Sequence, residues 1–199
     1  STLFPYTTLF RSNFKDARVM AEMLKRLATM PKPTIARVQG PAYGGGVGLV
    51  AACDIALATY DAQFSLSEVK LGIVPAVISP HVIAAIGERC ARRYMLTAER
   101  FSAAEAYRIG LIHEMVPDTA ALDEAIGMIV ASLMQNGPRA LGECKDLIRH
   151  VVQNAGSAEL IDDLARRIAR VRVSEEGREG VSAFLGKRKP SWASFSGEG

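Results

Sequence analysis

Cysteine is scarce in this chain, and its three copies, Cys53, Cys90 and Cys144, lie far apart. An odd, scattered set supplies neither a CxxC metal site nor a disulfide framework. It suits reduced, packed thiols and a cytoplasmic setting. Long apolar runs are lacking too, so no stretch reaches the ~20 residues that a membrane span needs. The opening Ser1-Thr2-Leu3-Phe4-Pro5 has no basic lead and no extended apolar segment, and so does not read as a signal peptide. The net charge is only +3 with both signs interspersed, and no basic stripe with interleaved aromatics stands out for nucleic acid. His81, His113 and His150 carry no ligand spacing, and no metal site is expected. What the chain does have is 49% apolar residues in 199, enough to bury the core of one domain with a helical appendage.

Residues 1–12 fit no packed element and are read as an unrelated or disordered leader. A helical period begins at Asn13, with Met20, Met23, Leu24 and Leu27 on one face, and Pro31 stops it. Pro33 to Gln39 reads as a strand, Leu49 to Cys53 as the start of a buried helix, Asp54 to Thr59 and Gln63 to Leu66 as further strands. Ser79-Pro80 suggests an N-cap followed by proline at the first helical position. Ser102-Ala103-Ala104-Glu105 has the spacing of a capping box, and Gly110 suits a helix C′ position. Leu111 to Val116 reads as a short strand. Helical patterns follow at Leu122 to Leu133, Leu160 to Val171 and Glu175 to Gly186. Strands come early and helices late.

The stretch Gly40-Pro41-Ala42-Tyr43-Gly44-Gly45-Gly46-Val47-Gly48 dominates the first half. Glycines ahead of a buried helix permit a tight turn and leave unpaired N–H groups at the positive end of the helix dipole. Three uses are open. Gly46-Val47-Gly48-Leu49-Val50-Ala51 has a dinucleotide-type pattern, with Glu68 lying 20 residues past Gly48. Against it, only about eight residues separate Gly46 from the next strand, short for a crossover helix. A Walker phosphate loop is excluded, since no Gly-Lys-Ser/Thr follows. The glycines can also serve close helix–sheet packing alone. The third use is an oxyanion hole.

Here the chain resembles the crotonase (enoyl-CoA hydratase/isomerase) superfamily. The resemblance rests on Gly40 to Leu49, Cys53 to Ala56, Ala62 to Ser65 and Glu68 to Pro75. It continues through Ala91 to Thr97, Phe101 to Ala106, Gly110 to Ile112 and Glu179 to Pro190. Leu71 to Pro80 looks most like bacterial methylglutaconyl-CoA-type hydratases. The resemblance implies an α/β fold of crotonase type, a ββα spiral core over residues 13–116 with a helical trimerisation region over 117–199. It also implies an acyl-CoA substrate, a homotrimer or hexamer, and no cofactor beyond the coenzyme A of the substrate.

The resemblance also implies roles. The Gly45 N–H holds the thioester oxygen, and Glu68 is the catalytic carboxyl. Tyr43, Gly44, Gly48 and Pro75 contribute to the acyl-CoA site, while Phe184 and Lys187 match positions that approach the CoA adenosine. Two departures stand out. The first glutamate of two-glutamate hydratases falls on Gly48, so hydration by Glu68 alone, a single-base isomerisation and a non-catalytic acyl-CoA-binding subunit all stay open. The N-terminal strands that carry the family's other oxyanion donor have no match in residues 1–12, so the chain is expected to begin partway into the domain.

Overall fold

The structure, a computed structural model, describes residues 3–195. Ser1 and Thr2, the first residues of the expected leader, lie outside them. Packing divides the chain into two units, residues 1–28 with 34–126, and residues 29–33 with 127–199. The sequence reading placed the start of the helical region at Pro117; the division falls later, inside a helix.

In the first unit, α1 (Leu3–Thr29) is continuous. It takes in the stretch read as an unrelated leader, so the helix begins well before Asn13. Leu24 is its fully buried anchor. Strand β1 (Ile35–Val38) starts after Pro33, which has no N–H to give a ladder. Its entry is fixed by Thr34, whose N–H and hydroxyl both donate to Asp54 Oδ2, at 2.7 and 2.9 Å. Asp54 N–H returns a bond to Thr34 Oγ1 at 3.0 Å. This clasp sets the parallel register of β1 with β3 (Ile55–Thr59), Ile35 facing Ile55 and Val38 facing Ala58. Strand β6 (Glu114–Val116) joins β3 on its other side, also parallel.

The second sheet is smaller. Strand β2 (Ala42–Tyr43) pairs parallel with β4 (Gln63–Ser65), and β4 pairs antiparallel with β5 (Phe101–Ser102). Between β2 and β3 lies α2 (Gly45–Ala52). It begins on the glycines, not after them at Leu49 as the sequence suggested, so the connection from β1 to β3 has room for its crossover helix. Leu49, expected inside, is 43% exposed, while Val47, Gly48, Val50 and Ala52 form the buried side. Phe64, Leu57, Leu66 and Val82 are fully buried between the elements.

A 3₁₀ turn at Glu68–Leu71 leads to α3 (Ser79–Thr97), which kinks at Gly87 (φ 71°). Ser79 is the first residue of α3, not its cap; Ile78 holds the cap position, and the Ser79 hydroxyl donates back to Ala76 O at 2.8 Å. The short helix α4 (Ala103–Arg108) is capped by Ser102, whose Oγ accepts from Glu105 N–H at 3.3 Å, and Gly110 follows with φ 84°. Only half of the expected capping box forms. The Glu105 carboxylate turns away to accept from the Tyr94 hydroxyl and from Arg108, at 2.6 Å. Leu111 and Ile112 are buried without strand pairing, His113 is exposed with its N–H donating to Ala56 O at 2.7 Å, and β6 starts at Glu114.

The guanidinium of Arg108, then the Tyr94 hydroxyl, holds the Glu105 carboxyl down at about 2 from an ordinary 4.5. Burial, with the Glu105 bond second, pushes Tyr94 up to about 12. A depressed carboxyl stabilises the fold above its unfolded pKa, and that contribution fades as pH falls through its folded value. Glu105→Gln is therefore expected to lower the urea midpoint at pH 7 and to flatten its pH dependence between 4.5 and about 2. An unchanged acid limb would sink this assignment.

In the second unit, the last turns of α5 (Thr119–Met134) lead to α6 (Pro138–Gln153), α7 (Leu160–Val173) and α8 (Glu175–Leu185). Helix α6 had no assignment from sequence, although Leu141, Cys144, Leu147, Ile148, Val151 and Val152 recur at three and four along it. Three carboxylates organise this unit. Glu176 accepts from the N–H groups of Arg139 and Ala140 at 2.9 and 2.7 Å, capping α6 from α8. Glu143 and Asp146 of α6 hold Arg167 of α7 at 3.1 and 2.6 Å. Among the described residues, no helix is long and apolar enough to cross a membrane.

Candidate active site

The glycine loop is held from below by β4. Gly44 N–H donates to Ser65 O at 2.9 Å, extending the β2–β4 pairing by one bond. Gly44 takes φ 51°, ψ −117°, a conformation that glycine adopts without strain and that turns the chain into α2. Among the described residues, the N–H groups of Gly45, Gly46 and Val47 donate to no acceptor. They are the unpaired donors of a helix start, at its electropositive end.

Three residues after Ser65, the chain places Glu68 at the head of the 3₁₀ turn. A methyl group built on Gly44 would stand 3.1 Å from Glu68 Oε1. The carboxylate thus closes directly onto the loop, and only a glycine leaves it that room. The other oxygen, Oε2, is buried and has no hydrogen-bond partner among the described residues. A buried carboxylate oxygen without a donor is costly unless something brings a proton or a hydrogen bond to it. The arrangement therefore brings a carboxylate with one unpaired oxygen against the glycine turn whose next residues carry free N–H donors. It can steady negative charge on a ligand oxygen and exchange a proton nearby.

The remaining expected residues divide between the units. Tyr43 precedes the loop, 37% exposed, with the Arg100 guanidinium 5.3 Å from its ring centroid. Pro75 is buried in the segment after the 3₁₀ turn, and Gly48 is buried on α2 one turn beyond Gly44. Phe184, 81% exposed, and Lys187, with φ 51°, lie in the second unit at the end of α8 and just past it. Several contributors had no sequence signal of their own. They are Ser65, which acts through its carbonyl, Met20, whose methyl would meet a Cβ on Gly45 at 2.9 Å, and Ile78 against Gly48.

A cavity of about 360 Å³ opens beside the loop, bounded by Leu27, Ala36, Pro41, Gly46 and Leu49. Glu68 is not among its walls, so this space lies along another side of α2 from the carboxylate. A second cavity, of about 340 Å³, is lined by Cys53, His81 and His113. Burial lowers the pKa of His81. His113, without a partner pattern in the sequence, does have a structural one: its Nδ1 accepts from Ala56 N–H at 3.0 Å. His150 likewise meets Asp163, 3.6 Å away. In the second unit, a cavity of about 730 Å³ is flanked by Glu176 and Glu179. Both are engaged, Glu176 in capping α6 and Glu179 by Arg188 at 2.7 Å.

A parallel sheet feeding a glycine turn that opens a buried helix, with a carboxylate closed onto the turn from a second small sheet, is an arrangement of the crotonase type. The dinucleotide alternative fails on topology, because Glu68 follows a strand of the other sheet. The chain belongs to the enoyl-CoA hydratase/isomerase family, whose model matches residues 11–195. An enoyl-CoA hydratase of Alternaria alternata is 37% identical over 187 residues, covering 92% of this chain and 62% of that protein. The 2,3-dehydroadipyl-CoA hydratase of Escherichia coli is 31% identical, covering 86% and 67%. The crystal structure of an enoyl-CoA hydratase from Shewanella pealeana superposes with a TM-score of 0.88 at 45% identity, covering 92% of this chain and 68% of that one. The chain spans about two thirds of the length of these relatives.

Proposed function

We propose that this chain acts on a 2-enoyl-CoA thioester, adding water across the conjugated double bond. The observation that carries this reading is the Glu68 carboxylate closed onto Gly44, its second oxygen buried and unpaired, beside the free N–H groups of the next residues. In this reading the Gly45 N–H holds the thioester oxygen. As the oxygen of water bonds to Cβ, the double-bond electrons move toward that carbonyl, and the N–H donor stabilises the enolate charge. Glu68 takes the proton from the attacking water and delivers one to Cα. Atoms balance: hydroxide ends on Cβ and a proton on Cα.

Tyr43, Gly44, Gly48 and Pro75 are assigned to the acyl-CoA site. Phe184 and Lys187 are assigned to the adenosine end, with Lys187 offering a point charge to a phosphate. Coenzyme A enters as part of the substrate, and the proton transfers proposed here use only protein groups and water. A branched or carboxylated acyl group, methylglutaconyl-CoA-like, is the proposed substrate; a relative named for dehydroadipyl-CoA makes a carboxylated chain reasonable. Assembly as a homotrimer or hexamer in the cytoplasm belongs to the same reading.

A second reading, movement of a double bond by one base, is favoured by one observation: the volume that a side chain at position 48 would need is filled by Ile78. One assay separates them. Hydration of a 2-enoyl-CoA removes the conjugated thioester absorbance, whereas isomerisation of a 3-enoyl-CoA creates it. A panel of straight, branched and carboxylated substrates is expected to show loss of absorbance from the 2-enoyl forms. A gain from 3-enoyl forms alone would replace hydration with isomerisation. No change with any of them, in a folded chain that binds acyl-CoA, would leave a non-catalytic binding subunit.

A further inference from the structure

Gly45 is the first residue of α2, and among the described residues its N–H donates to no acceptor. The residue before it, Gly44, has no side chain with which to cap that turn. One group approaches Gly45 from outside the helix. The terminal methyl of Met20 stands 2.9 Å from the point where a Cβ on Gly45 would lie. Among the described residues, no other group outside α2 and Gly44 comes within 4 Å of that point. Covalent geometry then puts the methyl within about 5.5 Å of the Gly45 nitrogen.

Helix α1 is anchored so as to hold the methyl there. Leu24, one turn along from Met20, is fully buried, and Met20 and Leu27 are partly buried against the same core. Arg18 and Glu22 instead pair with each other at 3.0 Å, both more than half exposed. What α1 brings to Gly45 is therefore a thioether. A methyl accepts no hydrogen bond, and a thioether sulfur accepts only a weak one. A polar side chain of the same length would close the N–H, as capping side chains ordinarily do.

We infer that Met20 is a positioning residue of this site. Packed on Gly45, it steadies the first turn of α2 and covers it with a group that cannot take its hydrogen bond. The donor stays open to the thioester oxygen. The apolar cover also thins the water around it, where a hydrogen bond to developing charge is worth more. Resting on the 2-enoyl-CoA reading, this gives α1 a share in the reaction through Gly45, without contact to the reacting atoms.

Three variants test it, Met20→Leu, Met20→Gln and Met20→Ala, each first checked for folding by circular dichroism. Leucine keeps the apolar cover and is expected to hold kcat on the best 2-enoyl-CoA within about threefold of the parent. Glutamine, similar in length, brings an amide oxygen to the Gly45 N–H. It is expected to lower kcat at least about tenfold, toward the 10²–10³ of a lost oxyanion donor, with KM moved less than about threefold. Alanine only opens the cover to water, and a smaller fall of about three- to tenfold is expected. The donor is also read without turnover. The absorbance of a bound conjugated dienoyl-CoA moves to longer wavelength when an N–H pulls on its carbonyl; that shift should survive in Met20→Leu and shrink in Met20→Gln. Folded glutamine and alanine variants with the parent's kcat and the parent's shift would overturn the inference, as would a leucine variant that loses as much as glutamine. If the glutamine variant does not fold, alanine against leucine decides. A parent chain that binds acyl-CoA but turns none over would overturn the functional reading and the role of Met20 with it. That result is distinct from an active parent whose variants are indifferent.

Discussion

Glu68→Gln is expected to lower kcat on the best 2-enoyl-CoA by about 10²–10⁴-fold, with acyl-CoA binding held within about threefold. Glutamine preserves the shape that fits against Gly44, where Oε1 would stand 3.1 Å from an added methyl. It removes only the capacity to take and return a proton. The loss should therefore appear in kcat far more than in KM, the pattern of an interaction made in the transition state. Steady-state kinetics with a binding titration of a saturated acyl-CoA would measure both. Undiminished turnover in Glu68→Gln would remove the carboxyl from the mechanism, whichever of hydration and isomerisation is right. Lost binding with an intact fold would instead give Glu68 a role in holding the thioester.

Phe64→Ala is expected to cost about 3–5 kcal/mol of folding stability. Against a total of about 5–15 kcal/mol for an ordinary domain, that is enough to leave a measurable fraction of the chain unfolded. Phe64 is fully buried, and its ring stacks on Phe101 at a centroid distance of 5.6 Å. It sits at the centre of β4, facing Ala42 of β2 on one side and Phe101 of β5 on the other. The next residue, Ser65, supplies the carbonyl that receives Gly44 N–H. The cavity left by alanine thus lies directly under the support of the glycine loop. Chemical denaturation should show the loss, and any folded fraction should also have reduced turnover. A variant as stable as the parent would mean that β4 does not carry the second sheet.

The helices with strong periods were legible. Met20, Leu24 and Leu27 marked α1, and Glu175 to Gly186 marked α8, because a 3.6-residue repeat of apolar side chains needs no knowledge of the partner surface. The leader was not. Residues 3–12 have no clean apolar face, yet they continue α1, since extending an existing helix costs far less than nucleating one. Helix α6 was missed although Leu141, Cys144, Leu147, Ile148, Val151 and Val152 recur at helical spacing; its place is fixed by Glu176 of α8 and by Arg167 of α7, contacts remote in sequence. The capping box at Ser102 was half right for a related reason. Arg108 and Tyr94 offer the Glu105 carboxylate charged and buried partners that outcompete a backbone N–H.

By itself, the sequence determined that a glycine turn would open a buried helix after a short strand, and that a carboxylate would follow a later strand. Those features depend on backbone freedom and on neighbours within a few residues. Tertiary structure alone decided that the carboxylate closes on Gly44, that Ser65 holds the turn, and that Ile78 occupies the room above Gly48. Each of these is a meeting of segments far apart in the chain. It is set by strand register and close packing, which no local pattern of residues encodes.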